Sequence, residues 1–290
     1  MCYERNPKVI KPWYGFLEDQ VFGEIISDKK ICKYIFETIL SFKIKEIYYP
    51  EKQKEVKDPK HRERKDVRFD ILVEDYEHNL YDVEAQTTDK KDLGWRMRYY
   101  AAKIDQRYTL EKGKTYRNIK KAYLIFLCNF DPEGEGRIKY TYHTYEDHNK
   151  SKQFQDGLEK IIINGKGIPN GESADQVGLV NLINDRPVHL NAIFDEIQTR
   201  IKDMNEDPEW RDKMIDYETR MLEKEQEAEE KGMQKGMQRG IASATVSGIK
   251  KLIAALKDFG GNDEQILNRL EKDYGDQLSI DELKDFMKQA

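Results

Sequence analysis

Arg68–Gln86, RFDILVEDYEHNLYDVEAQ, is the stretch that decides how the rest of this chain is read. Val67, Phe69, Ile71 and Val73 alternate with Arg68, Asp70 and Leu72. Beyond a polar turn, Tyr81, Val83 and Ala85 alternate with Asp82, Glu84 and Gln86. Period-two alternation on both sides of a turn predicts a β-hairpin. A turn centred near Glu77 sets Asp70 across from Glu84, in a register that a change of loop length shifts by one residue. Two carboxylates facing each other across a ladder repel. A divalent cation between them removes the objection, and carboxylate and carbonyl oxygens are what Mg²⁺ or Mn²⁺ take. A solvated polar face is the other reading of the same residues, and the hairpin alone does not choose between them.

The residues around the hairpin add to this. Asp70 followed by Glu84-Ala85-Gln86 on the next strand resembles the PD-(D/E)XK nuclease motif, with Gln86 where most of that superfamily has Lys. The Gln form is similar to the YhgA-like (Rpn) branch, the PD-(D/E)XK nuclease family transposases. Arg96-Met-Arg98-Tyr99-Tyr100, Gly113-Lys-Thr-Tyr116, the run from Ala122 to Asp131, Gly136–Tyr142, and Asp156-Gly157 with Ile163-Asn164 and Gly167 continue the pattern in order. The resemblance covers residues 14–205. It implies an α/β, restriction-endonuclease-like core, with a central mixed β-sheet flanked by helices and a C-terminal helical extension. It further implies Asp70 and Glu84 as catalytic metal ligands, the Ala85 carbonyl as a third ligand, and Gln86 as the remaining catalytic residue. Asp19-Gln-Val-Phe22 resembles the family's opening Asp-x-x-Phe-Lys, with Gly23 in place of Lys. That sets Asp19 beside the site, along with Arg68, Tyr99 and Tyr100; a helix cap is the other reading of Asp19.

Composition bounds the partners. The chain has 290 residues, 36% of them charged, and a net charge of -5. It therefore reads as soluble and not globally basic, so nucleic-acid contact must come from a local patch. Cys2, Cys32 and Cys128 show no paired spacing, which points to a reducing cytoplasm and away from disulfides or zinc. MCYERNPK lacks the apolar segment of a signal peptide. The apolar run Ala122–Cys128 is far too short to span a bilayer, and no membrane role is expected.

In chain order, Pro7 and Pro12 make residues 1–13 a loose arm. A helix begins near Phe16, and a second covers Lys29–Phe42 behind a Ser27 or Asp28 cap. Lys43–Tyr49 reads as a strand and Glu51–Lys65 as a charged loop. Capped by Asp89 or Asp92, the next helix runs to about Glu111, with Leu93, Met97, Tyr100, Ile104 and Tyr108 facing the core. Arg96, Lys103 and Arg107 share another stripe. From Lys90 to Lys121 there are eleven Lys/Arg against three Asp/Glu. That local excess makes Arg96, Lys103 and Arg107 the candidate nucleic-acid contacts, since phosphate contacts supply most sequence-independent affinity; an ordinary charged helix face is the competing reading. Lys121–Phe130 is a strand buried on both faces. Lys139–Tyr145 and Glu159–Asn164 are further strands. His143 and His148 flank a Tyr-rich strand and read as structural rather than as metal ligands, since nothing supplies soft partners.

The boundaries expected are a nuclease-like domain at 1–205, a helical linker with a Gly repeat at 206–240 and a small helical tail at 241–290. Asn205–Pro208 breaks the helix that starts near Val188. Gly232, Gly236 and Gly240 make a weak helix or hinge, since each interior Gly costs about 1 kcal/mol against Ala. Three short helices end the chain, the last with a Ser279/Glu282 capping box. Such a tail docks a second copy or a partner protein, contacts DNA like a helix-turn-helix, or simply caps the fold, and its lack of strong basic charge favours protein contact or capping.

The function expected is Mg²⁺- or Mn²⁺-dependent endonuclease cleavage of DNA phosphodiester bonds, of the transposase-associated, recombination-promoting kind. Gln86 is neutral and orients water without stabilising charge, leaving Arg96 or Lys103 to supply the positive charge. A catalytically inactive nuclease fold that binds nucleic acid or protein is the alternative from another class.

Overall fold

Six strands form one mixed sheet: β1 (Glu51–Val56), β2 (Val67–Glu74), β3 (Leu80–Gln86), β4 (Ala122–Cys128), β5 (Lys139–Tyr142) and β6 (Leu158–Asn164). Their spatial order is β1-β2-β3-β4-β6-β5. β1, β2 and β3 alternate in direction, β3, β4 and β6 are parallel, and β5 returns antiparallel to β6. The structure, a computed structural model, describes residues 11–48, 51–56, 67–106 and 113–289, without the side chains of 51–56 and 67–70. Cys2, Arg107, the far end of the basic helix and residues 57–66 of the expected loop lie outside that description.

The hairpin owes its register to Asp75. This buried carboxylate accepts hydrogen bonds from the Glu77 and Asn79 backbone N–H groups at 2.8 and 2.9 Å and from Asn79 Nδ2 at 2.9 Å. The Tyr81 hydroxyl donates to it at 2.7 Å. Burial, with the Asp75 charge beside it, pushes the Tyr81 phenol up, so the donor stays protonated. His78 turns the chain at φ 64, the left-handed region. The turn then pairs Ile71 with Val83, Leu72 with Asp82, Val73 with Tyr81 and Glu74 with Leu80. That ladder is centred on residue 77.

Alternation along the strands builds two cores. Ile71, Val73, Tyr81, Val83, Tyr123, Ile125 and Leu127 face a layer made by α1 (Asp19–Ile26), α2 (Lys29–Leu40), α4 (Ala174–Ile183) and α5 (Ala192–Glu206). Leu72, Leu80, Leu124, Phe126 and Cys128 face α3 (Leu93–Ile104), which contributes Met97, Tyr100, Ala101 and Ile104. β4 feeds both layers, and for that reason all seven of its residues are buried and apolar.

Asp28 caps α2 by accepting from the N–H groups of Lys30 and Ile31 at 2.9 and 3.1 Å, and Arg200 on α5 donates to its other oxygen at 2.8 Å. Asn205 near the end of α5 is buried. It accepts from Tyr14 N at 2.8 Å and donates to Tyr14 O at 2.9 Å, tying residue 14 to residue 205. Pro208 then opens α6, where a missing N–H costs nothing.

The structure corrects several expectations. Lys43–Tyr49 is not a strand: Ile47 makes a single bridge to Asp75. The first strand is instead β1, within the segment read as loop. Its sequence EKQKEV has no apolar alternation, and backbone pairing with β2 at the sheet edge orders it. Helix α4 is an element the sequence reading did not name. The Gly repeat is no hinge in the backbone: α6 (Pro208–Asp258) runs helical through Gly232, Gly236 and Gly240.

Two compact units divide at Ile215 and Asp216, within α6. In the second unit Ile249 and Ile253 of α6 pack with Ile266 and Leu270 of α7 (Asp263–Tyr274) and Leu283 of α8 (Ile280–Gln289). Asn262 caps α7 through a reciprocal bond with Gln265. No helix among the described residues is long and apolar enough to cross a membrane.

Candidate active site

Glu84 sits near the C-terminal end of β3, beside Phe126 in the β3–β4 ladder, and is fully buried. Carrying the hairpin register one residue beyond Ile71–Val83 sets position 70 across from Glu84. The Asp70 and Arg68 side chains lie outside the described residues. A buried carboxylate needs a partner to offset its desolvation, and α3 supplies one. Arg96 Nη2 lies 3.0 Å from Glu84 Oε2 and donates to the Tyr100 hydroxyl oxygen at 3.0 Å. Arg96 Nη1 donates to Gln86 Oε1. The amide of Gln86 is engaged at its other end too, with Nε2 donating to the Thr88 carbonyl at 2.6 Å. The guanidinium lies over two rings, 5.2 Å from the centroid of Tyr100 and 5.3 Å from that of Phe126. Arg96 and Tyr100 stand four apart on α3, so one helical turn brings the guanidinium and the hydroxyl together.

The surroundings keep this cluster in a low dielectric. Burial, then the Glu84 charge, pushes the Tyr100 phenol up, so it remains a neutral hydroxyl. Burial also pushes the Cys128 thiol up to about 12. Cys128 pairs with Gln86 in the ladder and supplies no thiolate. Asp82, two residues before Glu84 and equally buried, shares its parity on β3. Asp82 is near enough to Tyr100 that a charge on it would also hold the phenol up. The sequence reading gave Asp82 no role, although the alternation that places Glu84 on this face places Asp82 there too.

Other expected site residues are dispersed. Asp19 is exposed in the first turn of α1, in the layer opposite α3. Tyr99 is half-buried, and Lys103 Nζ lies 5.5 Å from the centroid of its ring. Lys103 is only 5% exposed, so it does not present a phosphate-facing stripe together with Arg96. The reason is geometric: positions 96, 100 and 103 fall on one side of a 3.6-residue helix, and Arg96 shows that this side faces the sheet. The exposed cation on this helix is Arg98, stacked over Trp95 at 4.8 Å. His143 Nδ1 pairs with Gln153 at 3.1 Å, a structural contact. Among the described residues no group of three or more His, Cys, Asp or Glu side chains gathers to hold a metal ion.

A mixed sheet layered by helices on both faces, with a buried carboxylate at the end of its third strand, is the architecture of restriction-endonuclease-like proteins. The family model described as PD-(D/E)XK nuclease family transposase matches residues 14–235, and the chain belongs to that family. No curated protein and no solved structure matches the chain.

Proposed function

We propose that this chain is a metal-dependent DNA endonuclease of the transposase-associated, recombination-promoting type. The observation that carries the reading is Glu84, a fully buried carboxylate at a position whose register partner is residue 70. Burial of one acid opposite another is unfavourable unless positive charge joins them. The donors fit a hard divalent cation: the carboxylates of Asp70 and Glu84 and the backbone carbonyl of Ala85 are all oxygen, and the nearby thiol is protonated. Mg²⁺ or Mn²⁺ bound there supplies an acidified water and neutralises charge on the phosphate. The chain's own residues do the rest. Arg96 brings a permanent positive charge to the rim of the site, and Tyr100 and Phe126 exclude water beneath it. The excess of cations from Lys90 to Lys121, beside the site in sequence, supports contact with the DNA backbone there.

A catalytically inactive fold that binds nucleic acid or a partner protein is the second reading. It draws on the Arg96–Glu84 ion pair, which already neutralises the buried acid. Incubation with supercoiled plasmid and Mg²⁺ or Mn²⁺, with and without chelator, separates the two. Nicking that the chelator stops supports the nuclease. Binding without nicking in either metal supports the inactive fold.

A further inference from the structure

The unusual residue of the motif is Gln86, and its contacts give it a specific task. Its carbonyl oxygen accepts from Arg96 Nη1 while its Nε2 donates to the Thr88 carbonyl at 2.6 Å. The amide is thus engaged with protein at both ends, and its carbonyl is set to aim a neighbour. The neighbour is a guanidinium that also reaches Glu84 at 3.0 Å and Tyr100 at 3.0 Å, over the faces of Tyr100 and Phe126. About a third of the Arg96 side chain stays exposed, so a phosphate can approach it. We infer that Arg96 carries the positive charge of this active site from helix α3 and that Gln86 is its positioning residue, the two forming a matched pair in place of a cation on the strand. The inference rests on the nuclease reading above.

The pairing follows from charge and donor inventory. Arg is ionised at every accessible pH and offers a planar fork suited to phosphate oxygens. A Lys at position 86 has no acceptor for Arg96 and sets a second cation against the guanidinium. With Gln there, the same atoms attract. A cation on the strand and a cation on the helix are therefore alternatives, and the carbonyl of Gln86 selects the second.

The test uses the full chain in four forms: wild type, Gln86→Lys, Arg96→Gln and the double variant. Each is followed by a thermal melt, by binding of a short DNA duplex in chelator over a range of salt, and by Mn²⁺-stimulated plasmid nicking. Arg96→Gln is expected to lower nicking about 100-fold and to flatten the logarithmic salt slope by about one. Gln86→Lys is expected to lower both melting temperature and nicking. The double variant is expected to recover the melting temperature and about tenfold or more of the nicking of either single variant, because one cation is again present without a second opposing it. Losses that simply add in the double variant overturn the inference while a nicking wild type leaves the nuclease reading intact. A wild type without Mn²⁺-stimulated nicking overturns the nuclease reading, and with it the role given to Arg96.

Discussion

At the scale of single residues, the two proposed metal ligands differ in what holds them. Glu84 has Arg96 within 3.0 Å, whereas the case for Asp70 rests on its register position. Replacement of Asp70 by Asn removes one of two like charges and keeps the shape. It is expected to weaken Mn²⁺ binding at least tenfold, about 1.4 kcal/mol, and to abolish cleavage. The metal-free protein should melt no lower than wild type. Glu84→Gln is expected to weaken Mn²⁺ binding equally but to lower stability by about 1–2 kcal/mol, because the half-buried guanidinium loses its charged acceptor. Calorimetric Mn²⁺ titration with a thermal melt of each variant checks both. Unchanged Mn²⁺ affinity together with a lower melting temperature for Asp70→Asn would end the metal-ligand assignment.

At the scale of elements, the cap of α2 ties local helix chemistry to pH. Burial pulls the Asp28 carboxyl upward, but the N–H groups of Ile31 and Lys30 and the Arg200 guanidinium outweigh it and hold its pKa below the ordinary value of 3.8. An acid depressed on folding contributes stability above its unfolded pKa, and that contribution is lost as pH falls through the folded value. Asp28→Ala is therefore expected to cost about 1–2 kcal/mol near neutral pH. The gap from wild type should close only below about pH 3.8 in denaturant titrations run across acid pH. The basic helix gives a second test. Replacing Arg96, Lys103 and Arg107 together by Gln should weaken DNA binding and flatten its salt dependence. Lys103→Gln alone should leave the salt slope unchanged, since that side chain is 5% exposed. A slope unchanged in the triple variant would place the substrate elsewhere. These elements also show what the sequence makes legible. The hairpin and β4 are plain in it because alternation and an unbroken apolar run are direct images of burial. β1 is not, because an edge strand ordered by backbone pairing leaves no apolar trace. α4 leaves a readable sign, the reciprocal Ser173–Gln176 cap. Lys103 was assigned outward because charge alone does not tell which side of a helix meets a sheet.

At the scale of the molecule, the family match runs from residue 14 to 235, beyond the boundary of the first compact unit at Ile215. A chain ending near Glu230 keeps all of that unit and the two α6 side chains, Trp210 and Met214, that join its core. It is expected to stay folded and to retain any cleavage activity, while losing whatever self-association or partner binding the full chain shows. Circular dichroism, plasmid nicking and sedimentation of the shortened chain check this, and insoluble protein would make the tail integral to the nuclease unit. The nuclease class was legible at this scale because Asp70, Glu84 and Gln86 keep their order and spacing. The course of α6 was not, because three exposed glycines lower helix propensity without forbidding a helix.

The Asn205–Tyr14 clasp has a consequence for how the protein is made. Its two residues are 191 apart in sequence. At roughly 5–20 residues per second, a ribosome needs about 10–40 s to deliver the second after the first. For most of that interval α1 and α2 have been synthesised while α5, which packs in the same core, has not. The nascent chain must therefore wait, with apolar helix faces uncovered, for a core element made late. Slowing translation late in the message should then cost less soluble protein than slowing it between α2 and α5.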